Sequence, residues 1–175
     1  MSPAPADLVN AKDLAGRAAA IERSLELRQL ARIADAGGLK GTRVQAHLQF
    51  GFFEGRTTVD IALEGVVVLA CQRCLKPCEC SLSETEQVIV VATDTDEVAG
   101  GYEPFVGDAE SLSLTALIEE QVLLALPLVP MHDDEAECRK SASGKRVAKV
   151  EAEAVRDDVQ RPFANLRDLL GKDEH

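Results

Sequence analysis

From Val44 the chain falls into a two-residue period: Val44, Ala46, Leu48 and Phe50 alternate with Gln45, His47 and Gln49. Successive side chains of a strand point to opposite faces, so this pattern buries one face and wets the other. Gly55-Arg56 offers a turn, after which Val59, Ile61, Leu63 and then Val66 to Leu69 continue as a second strand, bent or bulged near Gly65. Glu84 to Thr93 is rich in β-branched residues and supplies a third strand, completing a meander. Upstream, Arg17 to Leu27 reads as a strand and Arg28 to Ala36 as a short helix stopped by Gly37-Gly38. Downstream, residues 94–108 carry acids, Gly100-Gly101 and Pro104, a loop composition. Ser113 or Thr115 can cap a helix running to Leu126, with Leu117, Ile118, Val122 and Ala125 on one face and Pro127 as its stop. Glu119 and Glu120 read as the solvated side of that helix. The expected fold is α+β: an antiparallel β-sheet meander, barrel-like if it closes, with a packed helix across it and a flexible, partly helical C-terminal tail.

Past His132 the patterning dissolves. Arg139 to Val150 holds five basic residues, Arg139, Lys140, Lys145, Arg146 and Lys149, and no acid. A more acidic stretch follows, and then Pro162-Phe163 with Leu166, Leu169 and Leu170 starts a short amphipathic segment. The expected organisation is one domain over residues 1–138, a charged linker over 139–161 and an amphipathic segment over 162–175. Thirty Asp and Glu against nineteen Lys and Arg give a net charge of -11. That charge repels polyanions, so a wholly basic nucleic-acid coat is excluded, and the 139–149 segment is the one basic arm that could touch phosphate. With no Trp and one Tyr, aromatic surface for stacking bases is scarce. The longest apolar stretch, Val122 to Met131, is broken by Pro127 and Pro130 and is far too short to span a membrane. Met1 to Asp7 has neither a basic nor an apolar leader region, so the expected location is the cytoplasm.

Five cysteines in a reducing compartment are expected as thiols or metal ligands. Cys71-Gln72-Arg73-Cys74 closes the second strand, and two thiolates separated by two residues can both face one tetrahedral zinc ion across a tight turn. Zinc then requires two more ligands, for which the residues offer either Cys78 and Cys80 or His132 and Cys138. Three other readings stand beside this one. The four local cysteines could form an iron-sulfur run, although C-x2-C-x3-C-x-C fits neither standard ferredoxin spacing. A redox pair would need a helix N-terminus that Leu75-Lys76-Pro77 does not provide. In the plainest case all are small reduced residues in a turn and on the next strand. No nucleophile elbow, phosphate loop, dinucleotide fingerprint or H-E-x-x-H is present, so no motif points to an enzyme or to a small-molecule substrate. Phe163 and Leu166 are expected to dock on the protein's own core or to anchor a partner.

Taken together, Cys71-Gln72-Arg73-Cys74-Leu75-Lys76-Pro77, the run from Leu124 through Pro127 and Pro130 to His132, Cys138, and the terminal Pro162-Phe163-Ala164-x-Leu166 resemble the YceD family. The family pattern covers Cys71, Arg73, Cys74, Leu126, Pro127, Pro130 and, in its nearer members, His132 and Cys138, but not Cys78 or Cys80. That resemblance favours pairing Cys71 and Cys74 with His132 and Cys138. It implies a non-enzymatic cytosolic factor for accumulation or processing of 23S ribosomal RNA and large-subunit assembly. The implied partners are a large-subunit precursor, a basic ribosomal protein or precursor 23S ribosomal RNA, the acidic surface favouring the protein. A metal- or thiol-dependent RNA-processing enzyme is the alternative.

Overall fold

The computed structural model describes residues 7–93, 98, 101–134 and 136–138. These residues all fall within one compact unit of the chain. The alternation beginning at Val44 becomes β3 (Arg43–Phe53), which pairs antiparallel on one side with β2 (Ala20–Glu26) and on the other with β4 (Arg56–Ala70). β4 in turn pairs antiparallel with β5 (Pro77–Val91), and β5 pairs parallel with β6 (Glu103–Val106). The sheet is therefore open, in the order β2-β3-β4-β5-β6, and does not close into a barrel. Its last pair, β5 with β6, is the parallel one, with Val88 opposite Glu103 and Val91 opposite Val106.

Glu54 and Gly55 both adopt positive φ at the β3–β4 turn, the geometry a tight hairpin demands. Gly65 has a different task. Pairing between β3 and β4 runs in unbroken register through it, so the expected bulge is absent. A Cβ there would sit 2.3 Å from the Arg43 carbonyl oxygen, and φ is +151°. Only glycine permits that approach of β3 onto β4.

One face of the sheet is covered by helices. α1 (Ala11–Gly16), α2 (Ala31–Asp35) and α3 (Leu114–Ala125) contribute Ala11, Ala15, Ile33, Leu117, Ile118 and Val122 to a core shared with Leu48, Phe50, Val59 and Ile61 of the strands. A short 3-10 turn, Leu27–Gln29, leads into α2. The two-residue strands β1 (Leu8–Val9) and β7 (Leu112–Ser113) pair with each other. This pairing ties the start of the described chain to the start of α3. Ser113 caps α3 by accepting the Ala116 N–H at 3.1 Å, while the Asp7 carboxylate accepts the Thr115 N–H at 2.8 Å. The cap thus satisfies donors that the first helical turn leaves free.

Two expectations are corrected here. Glu119 is not solvated: it is buried, and its carboxylate accepts the Arg32 N–H of α2 at 2.9 Å. A donor from the first turn of α2 outweighs water at that position, while Glu120 behaves as expected and pairs with the Arg32 guanidinium at the surface. The third strand begins at Pro77, seven residues before Glu84, which places Cys78 and Cys80 inside β5. Among the described residues no helix is long and apolar enough to cross a membrane. The linker and amphipathic segment expected over 139–161 and 162–175 lie outside the described residues.

Candidate metal centre

β4 ends at Ala70 and β5 begins at Pro77, so the Cys71–Cys74 turn joins the two strands at one end of the sheet. The turn is closed by two backbone bonds, Leu75 N–H to the Cys71 carbonyl at 2.8 Å and Cys71 N–H to the Lys76 carbonyl at 2.8 Å. Leu75 takes a φ of +60°, which completes the reversal. The second half of the site arrives from α3. Pro127 ends that helix, the following segment runs back to the sheet, and Gln72 N–H fixes it by donating to the Pro130 carbonyl at 2.9 Å. Asp134 then accepts the Ala136 N–H at 2.7 Å and opens a helical turn at residues 136–138 that aims Cys138 inward.

The outcome is one group of potential metal ligands among the described residues: Cys71, Cys74, His132 and Cys138, with all donor atoms within 4.8 Å of one another. The individual separations are informative. Cys71 Sγ lies 3.8 Å from Cys138 Sγ, Cys74 Sγ lies 3.6 Å from His132 Nδ1, and Cys138 Sγ lies 3.5 Å from the same nitrogen. A tetrahedron with zinc–sulfur bonds of about 2.3 Å and zinc–nitrogen bonds of about 2.0–2.1 Å has sulfur–sulfur edges of roughly 3.8 Å and sulfur–nitrogen edges of roughly 3.5 Å. These three separations match the edges of a zinc tetrahedron.

The surroundings orient His132 and favour the thiolate of Cys71. His132 Nε2 lies 3.1 Å from the Pro77 carbonyl oxygen, which can only accept, so Nε2 carries the proton and Nδ1 presents its lone pair to the sulfurs. Burial alone would push the Cys71 thiol up. The backbone N–H groups of Arg73, His132 and Cys74 point at its sulfur and instead bring it down to about 5. Cys138 is raised, first by burial and then by the crowding sulfurs of Cys71 and Cys74. Three sulfurs this close repel as thiolates unless a cation sits between them, and a divalent ion removes that repulsion.

Cys78 and Cys80 stand apart from the ligand group. Both side chains point to the same side of β5; Cys78 packs against Cys71 and Cys138, and Cys80 lies at the edge of the same sulfur cluster. Burial, then the sulfurs of Cys80 and Cys71, push the Cys78 thiol up to about 11, so it remains a protonated packing group. The plain packing reading therefore describes Cys78 and Cys80, while the geometry gathers the set implied by the resemblance. Two contributors had no role assigned from sequence, although Arg73 was part of the family pattern. Arg73 directs its guanidinium toward Cys138 Sγ at 3.9 Å and Met131 Sδ at 3.7 Å, and Pro77 supplies the carbonyl that orients His132. An arginine between the two cysteines and a proline shortly after them were the visible signals. Arg139, Lys140, Lys145, Arg146, Lys149, Phe163 and Leu166, expected to contact a partner or RNA, lie outside the described residues.

Comparison with known proteins places this geometry in context. Residues 59–170 match the model of the family described as large ribosomal RNA subunit accumulation protein YceD. That stretch includes all four candidate ligands. A protein of that description from Haemophilus influenzae is 31% identical over 122 residues, covering 68% of this chain and 65% of the relative. The chain thus matches just under two-thirds of that relative's length. No solved structure matches.

Proposed function

Because this chain belongs to the YceD family of large ribosomal RNA subunit accumulation proteins, we propose that it supports accumulation of 23S ribosomal RNA as a cytoplasmic, non-enzymatic assembly factor. It does so by holding a basic ribosomal protein or a precursor particle, and a zinc ion bound by Cys71, Cys74, His132 and Cys138 braces the end of its sheet. The observation that carries the non-enzymatic part is the closure of the donor set. Four protein donors gathered within 4.8 Å of one another can fill all four positions of a tetrahedral zinc ion, which would leave none for water or substrate and supports a structural site. Net charge supports the choice of partner, since an excess of eleven negative charges repels phosphate and attracts a basic protein. The 139–149 basic segment is the part proposed to reach RNA, and Phe163 and Leu166 are proposed as apolar anchors.

The competing reading, a metal- or thiol-dependent RNA-processing enzyme, draws on the low value of the Cys71 thiol. Cys71 has no exposed surface, so its sulfur is closed to a substrate. A Cys71→His variant separates the two readings. A structural site accepts the imidazole and keeps both zinc and RNA accumulation, whereas a thiol-dependent reaction is lost.

The direct test is gradient sedimentation of lysate containing the tagged protein, followed by crosslinking and identification of RNA and protein partners. Co-sedimentation with large-subunit precursors that weakens steeply with salt is expected. Retention at the top of the gradient with no ribosomal partner would contradict the reading, and salt-insensitive association would contradict its electrostatic part.

A further inference from the structure

The side of β5 that faces the helices carries Leu82, Glu84, Glu86 and Val88 in succession. Leu82 and Val88 are buried in the core, but the two glutamates between them are exposed. Apolar residues there would let the sheet close beneath α3. Carboxylates leave instead a groove of about 350 Å³ between α3 and the β5–β6 edge, lined by Glu84, Glu86, Glu103, Gln121, Leu124 and Ala125. No lysine or arginine lines it, and none of its three glutamates joins an ion pair among the described residues.

Gln121 adds an independent observation. It is only 3% exposed, yet its carboxamide makes no hydrogen bond among the described residues. Among the described residues no fully enclosed side-chain nitrogen or oxygen lacks a partner, so the unmet amide atoms are the part of Gln121 that opens onto the groove. An amide that meets only the water of the groove is open to a ligand that supplies a directed bond in its place.

The lining selects among ligands. Three carboxylates repel phosphate. They also do not converge as ligands for a hard cation, since the one close group of potential metal ligands among the described residues is the cysteine–histidine centre. An arginine side chain satisfies every feature: its guanidinium donates in a fork to carboxylates and to the Gln121 amide oxygen, and its aliphatic stem lies along exposed Leu124. We infer that the groove between α3 and the β5–β6 edge is a docking site for an arginine-bearing basic polypeptide segment. This inference rests on the reading above that the partner is a basic protein, and it assigns that partner a place on the surface.

The test uses the full chain and two fluorescein-labelled octapeptides, one alternating arginine with alanine and one with citrulline in place of arginine, followed by fluorescence anisotropy. Citrulline keeps the shape and removes the charge. The combined variant Glu84→Gln, Glu86→Gln, Glu103→Gln is compared with Glu22→Gln, Glu54→Gln, Glu64→Gln, which removes the same charge from exposed positions outside the groove. The groove variant is expected to weaken arginine-peptide binding about tenfold and the matched variant by less than about threefold. Gln121→Leu is expected to weaken binding while leaving the melting temperature unchanged or higher, an outcome that a purely structural glutamine would not give. Equal losses in the two triple variants, equal binding of the citrulline peptide, or no binding of the arginine peptide would each overturn the inference. Gradient sedimentation keeps the two readings distinguishable. If the groove variant still co-sediments with precursors as the unaltered chain does, the groove assignment fails and the functional reading stands. If the unaltered chain does not co-sediment while the peptide results hold, the functional reading fails and the basic-peptide site stands.

Discussion

The two packed regions of this molecule are built from different materials. The main core joins apolar side chains from five strands and three helices, whereas the second cluster consists of Cys71, Cys78 and Cys138 with Cys74 and Cys80 at its edge. Burying a Leu, Ile or Phe contributes roughly 1.5–3 kcal/mol each, so the first region has ample reason to assemble unaided. The second has almost no apolar mass, and its side chains come from segments more than fifty residues apart. Backbone bonds aim those sulfurs at one point, and the proposed coordination would supply the attraction that apolar burial does not.

The largest effect should come from the main core. Leu117→Ala removes a fully buried side chain facing the sheet and should cost about 2–5 kcal/mol in denaturant unfolding, with bound zinc retained in the folded fraction. Gly65→Ala comes next: the new Cβ meets the Arg43 carbonyl, and a loss of about 1–3 kcal/mol by the same measurement is expected. Cys74→Ser should reverse the pattern. Elemental analysis should find zinc lost, while the unfolding midpoint moves less than it does for Leu117→Ala; a larger shift would mean that the two regions are one cooperative unit. Smallest of all, Lys12→Ala removes an exposed ion pair with Glu110 and should change stability by at most about 0.5 kcal/mol.

The same contrast governs how much could be read from sequence. β3 was legible because its apolar residues alternate cleanly, and β4 because Val59, Ile61 and Leu63 alternate before the apolar run Val66 to Leu69. The first half of β5 was not, although Cys78, Cys80 and Leu82 keep the same period, because cysteine does not announce itself as a core residue until its neighbours are known. α1 was missed for a related reason. It is only six residues long, and it buries two alanines rather than large apolar side chains. Glu119 was misplaced because its burial depends on a free N–H of α2, a tertiary fact. At the cysteine centre, Cys71 and Cys74 were visible from their spacing, but nothing local chose His132 and Cys138 over Cys78 and Cys80. Family resemblance favoured that pairing, and the return of the chain after Pro127 supplies its physical basis.

The most direct test of a metal-braced end on an independently packed sheet is hydrogen exchange of the unaltered protein, followed by mass spectrometry with and without a zinc chelator. The account predicts that the chelator removes protection from residues 71–78 and 131–138 while Val59 to Leu63 stay protected. Unchanged protection at the cysteine end, or loss of protection throughout the sheet, would contradict it.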